Sequence, residues 1–184
     1  EFLSNREIIE QLCKFLIEKR YNFKWCCQTR PDSLDTEILK KMKEAGCSLI
    51  HLGIESGLQR FLDYLGKNIT IKQIEESIRM CKAVGIKTLA FFLFGLPDET
   101  DEDRGKILSF IKKLNTDFVS FHRIYPYNKT NTSYINIELN GKVDEFIRKA
   151  YIKYYIRPSY LYKLNLFTIL GGFRLFWGRI RTLK

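Results

Sequence analysis

The sequence predicts an α/β fold built on a parallel sheet covered by helices. Short apolar runs near residues 23, 48, 87 and 117 alternate with stretches of helical periodicity. Those runs are almost continuously apolar, as strands buried on both faces are. Each ends in polar residues, glycine or proline, and in such arrays ligands sit at the carboxyl ends of the strands.

Residues Asn5 to Lys19 place Ile8, Ile9, Leu12, Phe15 and Leu16 at helical spacing, which reads as one amphipathic face. Phe23 to Thr29 is short, aromatic and bounded by Asn22 and Pro31, as a strand is. Asp35 can cap a helix running to Ala45, with Gly46 as its left-handed stop. "CSLIHLGIE" reads as a buried strand and "SGLQRFLDYLG" as a short helix ending at Gly66. Thr70 and Gln73 make a capping-box pair for a helix that runs to Val84 and stops at Gly85. Lys87 to Phe94 is the most apolar strand, closed by "GLPDET"; Thr100 can cap a helix over Glu102 to Lys113, and Asp117 to Ile124 is a last strand. A further helix is expected over Lys142 to Tyr155, with Val143, Phe146, Ile147, Ala150 and Tyr154 on one side.

The bulk properties set limits. With 184 residues, 45% hydrophobic, the chain is long enough for one domain with a real core. No signal peptide is visible, and the chain reads as a piece of something longer. Five cysteines at irregular spacing argue against a disulfide framework and for a reducing cytoplasm. Adjacent residues of a strand point to opposite faces, so Cys26 and Cys27 cannot chelate one ion, and free buried thiols are expected.

The net charge of +10 is concentrated: Lys142 to Lys184 holds ten Lys or Arg against Asp144 and Glu145. This basic tail is rich in aromatics, and its uncharged run Leu164 to Phe173 is too short to span a bilayer. It suits either packing on the rest of the protein or lying on an anionic membrane surface. Nucleic acid is disfavoured, because no RNA-binding motif accompanies the basic charge.

The carboxyl ends read "QTRPD", "GIESG", "FGLPDE" and "FHRIYPY". With "MKEAGCSLIHLGIESGLQRFLDYLGKNIT", "CKAVGIKTLAFFLFGLPDETDED" and "YYIRPSY", they give a sequence that resembles the radical SAM superfamily, in particular the enzymes that carry a cobalamin-binding domain ahead of the radical SAM core. The resemblance implies a partial (βα) barrel with its front strands missing and a helical basic C-terminal tail. It implies residues 1–137 as the C-terminal part of the core and 138–184 as an extension. Two departures stand out. No CxxxCxxC loop occurs in this sequence, and "YPYNKT" replaces a proline and glycine common in the family.

By resemblance, Glu55 binds the ribose hydroxyls or ammonium of S-adenosylmethionine (SAM), supported by Ser56 and by close approach at Gly57. Lys67 pairs with the SAM carboxylate, and Phe94, Gly95 and Leu96 contact the adenine. Gln28, Arg30, His122 and Tyr125 are placed on the substrate side. No catalytic side chain and no metal ligand is assigned in this chain. The implied cofactors are SAM and a [4Fe-4S] cluster with ligands elsewhere, with cobalamin left open.

The implied function is that of part of a radical SAM enzyme, which generates a 5′-deoxyadenosyl radical or supports cobalamin-dependent methyl transfer. This chain alone is expected to be inactive without the cluster ligands. Its partners would be a small-molecule substrate and the missing N-terminal half of the barrel. A cytoplasmic location is expected, membrane-peripheral if the tail binds lipid. Two other readings remain, a non-catalytic degenerate βα binding module and a peripheral membrane protein organised by the tail.

Blander roles stand beside these. Glu55 can be a strand-end carboxylate that helps start the next helix. Lys67 can be a solvated charge and His51 a packed imidazole. Phe91 to Phe94 can be core, and the acids Asp98 to Asp103, Glu99 among them, can complement a helix dipole.

Overall fold

A computed structural model describes residues 2–124 and 137–161. The expectations for Tyr125, for "YPYNKT" and for the tail beyond Leu161 lie outside the described residues. Strands β1 (Trp25–Thr29), β2 (Cys47–Glu55), β3 (Lys87–Phe94) and β4 (Phe118–Arg123) form one sheet in the order β1-β2-β3-β4, with every pair parallel. Helices α1 (Arg6–Glu18), α2 (Thr36–Glu44), α3 (Gln59–Tyr64), α4 (Ile71–Ala83) and α5 (Asp101–Leu114) alternate with them, and α6 (Ile137–Tyr155) and α7 (Pro158–Leu161) follow. The predicted alternation is therefore present.

Local chemistry sets the helix ends. The side chains of Asn5 and Asp35 accept the backbone N–H groups of Ile8 (3.3 Å) and Ile38 (2.9 Å), each satisfying an orphan donor of a first turn. Capping boxes open α4 at Thr70 and Gln73, and α5 at Thr100 and Asp103. At Gly46, φ is +95°, and a Cβ there would lie 2.4 Å from the Phe23 carbonyl oxygen. Only glycine fits that stop.

Alternation along the strands divides the sheet into two faces. Cys27, Ile50, Leu52, Ile54, Ala90, Phe92, Phe94, Val119 and Phe121 are buried, while Cys26, Gln28, His51, Phe91 and His122 on the other parity are half-buried or exposed. Cys26 and Cys27 accordingly point apart, one exposed and one buried, and all five cysteines are free. Burial raises the thiols of Cys13 to about 11 and Cys81 to about 12, which keeps them protonated and inert.

Helix α1 departs from the single face that its periodicity suggests. Ile9, Cys13 and Leu16 are buried, whereas Ile8, Leu12 and Phe15 are exposed. Arg6 and Glu10 reach Asp35 and Lys41 of the α2 segment, and at about 100° per residue Ile8, Leu12 and Phe15 then lie on the opposite side of the helix. The apolar surface is wider than one contact needs, so α1 has an uncovered apolar flank turned away from α2.

The chain divides into compact units 1–144 and 145–184. In the second, Tyr155 packs edge-on against Tyr154 (5.1 Å) and Tyr160 (4.9 Å), and the Arg157 guanidinium lies 4.0 Å over Tyr154. Among the described residues no helix is long and apolar enough to cross a membrane.

Candidate functional site

The carboxyl end of β2 is where the backbone leaves ordinary geometry. The parallel register between β2 and β3 shifts between Gly53 and Glu55, and Glu55 sits at φ +70°. A left-handed glutamate is unfavourable by about 1–2 kcal/mol relative to ordinary backbone, and such strain gathers at functional positions. Its effect is to aim the Glu55 carboxylate at Lys67, whose Nζ lies 3.2 Å from Oε1. Both side chains are about one-fifth exposed. Gly53 makes room for the pair, since a Cβ there would lie 3.0 Å from Glu55 Oε1 and 3.6 Å from Lys67 Nζ.

Arg30, just past β1, ties this end together. Its guanidinium makes two 2.8 Å bonds to Asp32 and donates to the Lys67 carbonyl oxygen at 2.5 Å. Hydrogen bonds from Arg30, more than its charge, hold Asp32 below the usual carboxylate range. The expected residues Glu55, Lys67 and Arg30 thus form one connected polar cluster over the ends of β1 and β2. A carboxylate with an ammonium beside it can accept from vicinal hydroxyls or an ammonium while the lysine meets an anionic group. Those are the polar groups of SAM, so the cluster fits that cofactor.

The neighbouring residues are placed differently. Ser56 is fully buried, and its hydroxyl accepts the Leu58 backbone N–H at 3.3 Å. The close approach at Gly57 is to Phe110 of α5, whose Cδ1 would lie 2.5 Å from a Cβ on residue 57. Phe94 is fully buried, with its ring 5.7 Å from that of Phe121, and Leu96 is 1% exposed. Their backbone is engaged as well: the Phe94 carbonyl oxygen accepts the Ile124 N–H at 2.9 Å and the Leu96 carbonyl oxygen the Glu99 N–H at 3.1 Å. Gly95 stands at φ +84°, and the Glu99 carboxylate accepts the N–H groups of Gly95 (3.1 Å) and Leu96 (3.4 Å). Arg104 pairs with Glu99 at 3.1 Å inside the protein, and burial pushes the Glu99 carboxyl up. Glu99 is therefore more than a helix-start acid, because it braces the turn.

On the half-exposed face of the sheet, Gln28 is in register with His51. The Phe91 ring lies 5.8 Å from His51, edge-on, and 5.6 Å from His122. Ser120 Oγ lies 2.9 Å from His122 Nε2 and fixes that ring. Gln28 and His122 thus share a face; by register Gln28 lies below the Glu55 row, and His122, paired with Leu93, lies one residue beyond it.

Sequence reading did not single out Gly53, His51, Phe91 or Glu99 for the site. A glycine two residues before a strand-end carboxylate was the one available signal. Among the described residues no group of three or more His, Cys, Asp or Glu is placed to hold a metal ion.

The family model of the Radical SAM superfamily matches residues 1–111. An uncharacterized methyltransferase of Pyrococcus horikoshii is 31% identical over 163 residues, covering 76% of this chain and 36% of that protein. The chain spans about a third of that relative's length. Among solved structures, coproporphyrinogen III oxidase from Escherichia coli, a radical SAM enzyme, superposes with a TM-score of 0.62 at 16% identity, over 80% of this chain and 36% of that one. The radical SAM methyltransferase TsrM from Kitasatospora setae, solved with cobalamin and a [4Fe-4S] cluster, superposes with a TM-score of 0.57 at 20% identity, over 67% of this chain and 27% of that one. At these identities the likeness is one of fold. The four parallel strands and their helices are a partial radical SAM (βα) barrel.

Proposed function

The chain belongs to the radical SAM superfamily, and from that premise we propose that it is the part of a radical SAM core that holds SAM at the carboxyl end of β2. The observation that carries this reading is Glu55, kept at positive φ and paired with Lys67. In this reading Glu55 accepts hydrogen bonds from the ribose hydroxyls or the ammonium, and Lys67 turns to the carboxylate. The braced turn at Phe94, Gly95 and Leu96 lies against the adenine.

SAM reduced by one electron from a [4Fe-4S] cluster held elsewhere would give methionine and a 5′-deoxyadenosyl radical, or SAM would supply a methyl group where cobalamin takes part, and this chain would supply binding and orientation. The methyl-transfer version is supported by the methyltransferase relative and by cobalamin in the TsrM structure. The reading also carries two partners. One is a small-molecule substrate on the half-exposed face of the sheet. The other is further βα units completing the barrel, for which the uncovered flank Ile8, Leu12 and Phe15 is a suitable surface. Residues 138–184 are an appended extension in this scheme.

The test is equilibrium dialysis of SAM against the chain and its Glu55→Gln variant. Saturable binding that weakens at least tenfold in the variant, with thermal unfolding still cooperative, supports the site. Equal SAM affinity in the two proteins overturns it.

A further inference from the structure

Strands buried on both faces carry aliphatic residues, yet the half-exposed face of this sheet carries imidazoles. The sequence has two histidines in 184 residues. Both lie on that face, on either side of one ring: His51 at 5.8 Å and His122 at 5.6 Å from Phe91. They stand on separate strands, β2 and β4, with Phe91 on β3 between them. The phenylalanine keeps the imidazoles from converging on one ion. Glu55 is in register with Phe92, the residue after Phe91, so the row lies next to the proposed SAM site.

We propose that His51, Phe91 and His122 form a platform for a planar, uncharged heteroaromatic group of the substrate. Phe91 stacks on its face and the His51 imidazole hydrogen-bonds at its edge, with His122 on the other side of the Phe91 ring. The proposal rests on the SAM reading of the Glu55 end, because a group seated here is the one presented to bound SAM.

Three features favour that chemistry. An aromatic face prefers offset or edge contact with another π system, and such pairs add about 0.5–1.5 kcal/mol beyond area burial. None of the three side chains is a carboxylate, lysine or arginine, so the trio carries no permanent charge for an ionic ligand. Burial also holds His51 below its ordinary value, leaving it neutral and able both to donate and to accept. Ser120 fixes the ring of His122 from below, so the platform is ordered before the ligand arrives.

The chain itself provides the probe. Labelled with 13C-histidine, it gives two Cε1–H resonances, assigned with His51→Gln and His122→Ala. Indole is titrated in, and decahydronaphthalen-2-ol, a saturated alcohol of similar size, serves as control. The platform requires both resonances to move along one saturable curve with indole and neither with the alcohol. Phe91→Leu should weaken indole at least fivefold; if that variant does not fold, His122→Ala is scored by the His51 resonance alone.

Silent histidines, equal responses to the two compounds, or an unchanged curve in the variant each overturn the platform. SAM is titrated separately in the same preparation. SAM binding with silent histidines removes the platform alone. An indole response without SAM binding removes the SAM reading, and the substrate assignment with it.

Discussion

Replacing Glu55 by glycine should leave the protein more stable than replacing it by alanine. Elsewhere in strands and helices the order is the reverse, by about 0.5–1 kcal/mol, because glycine loses more backbone freedom on folding. At residue 55, φ is +70°, and an L-residue there is unfavourable by about 1–2 kcal/mol. Both variants lose the Lys67 pair, 3.2 Å in the parent, so that contribution cancels in the comparison. Release of the strain minus the entropy term leaves glycine ahead by about 1 kcal/mol. In a protein of this size that is a difference of roughly 2–4 °C in Tm. Urea denaturation followed by far-ultraviolet circular dichroism gives the same quantity as a shift in midpoint at constant slope. Both variants should also lose SAM affinity, which separates the backbone effect from the ligand role. Alanine equal to or more stable than glycine would refute the claim that strain is stored at this residue.

Two further outcomes follow from buried charge. Glu99→Ala takes the carboxylate away from the buried Arg104 guanidinium, which keeps its pair with the exposed Asp101, and from the N–H groups of Gly95 and Leu96, so a loss of about 1–3 kcal/mol is expected in urea denaturation. Adding Arg104→Met should recover part of it, and a loss under about 1 kcal/mol for the single variant would sink the bracing role. For His51, burial lowers the folded pKa, so the unfolded chain takes up its proton first as pH falls. Its contribution is full above the unfolded value, about 6.5, and is lost as pH drops through the folded one. Between pH 7.5 and 5.5 the urea midpoint should therefore fall more in the parent than in His51→Gln; parallel declines would contradict that.

The order and type of the elements were legible because the signals are local. Asp35, Thr70 and Thr100 cap the helices that their positions suggest, and each cap acts within one turn of chain. Glu55 and Arg30 were legible as candidates because charged groups past apolar strands are conspicuous, and Lys67, which follows α3, only through the family resemblance. The roles of Gly57 and Glu99 were not legible. Gly57 answers to Phe110, 53 residues away in sequence, and Glu99 to the backbone of a turn and a buried arginine. Helix α1 shows the limit from the other side. Its periodicity is plain, but which of its apolar residues are covered depends on where α2 lies.

The sequence by itself determined that strands and helices alternate, where they begin and end, and that polar groups gather past the strands. Those are properties of hydrophobic period and capping chemistry, which act over a few residues. Only the tertiary structure decided that Phe91 shares a face with both histidines while Phe92 and Phe94 belong to the core, and that Glu55 is turned to positive φ beside Lys67. Alternation says that neighbours on a strand oppose each other, but the register between strands and the shift at Gly53 and Glu55 choose the side. That choice is made by the helices that cover one face of the sheet, through contacts between residues far apart in the chain.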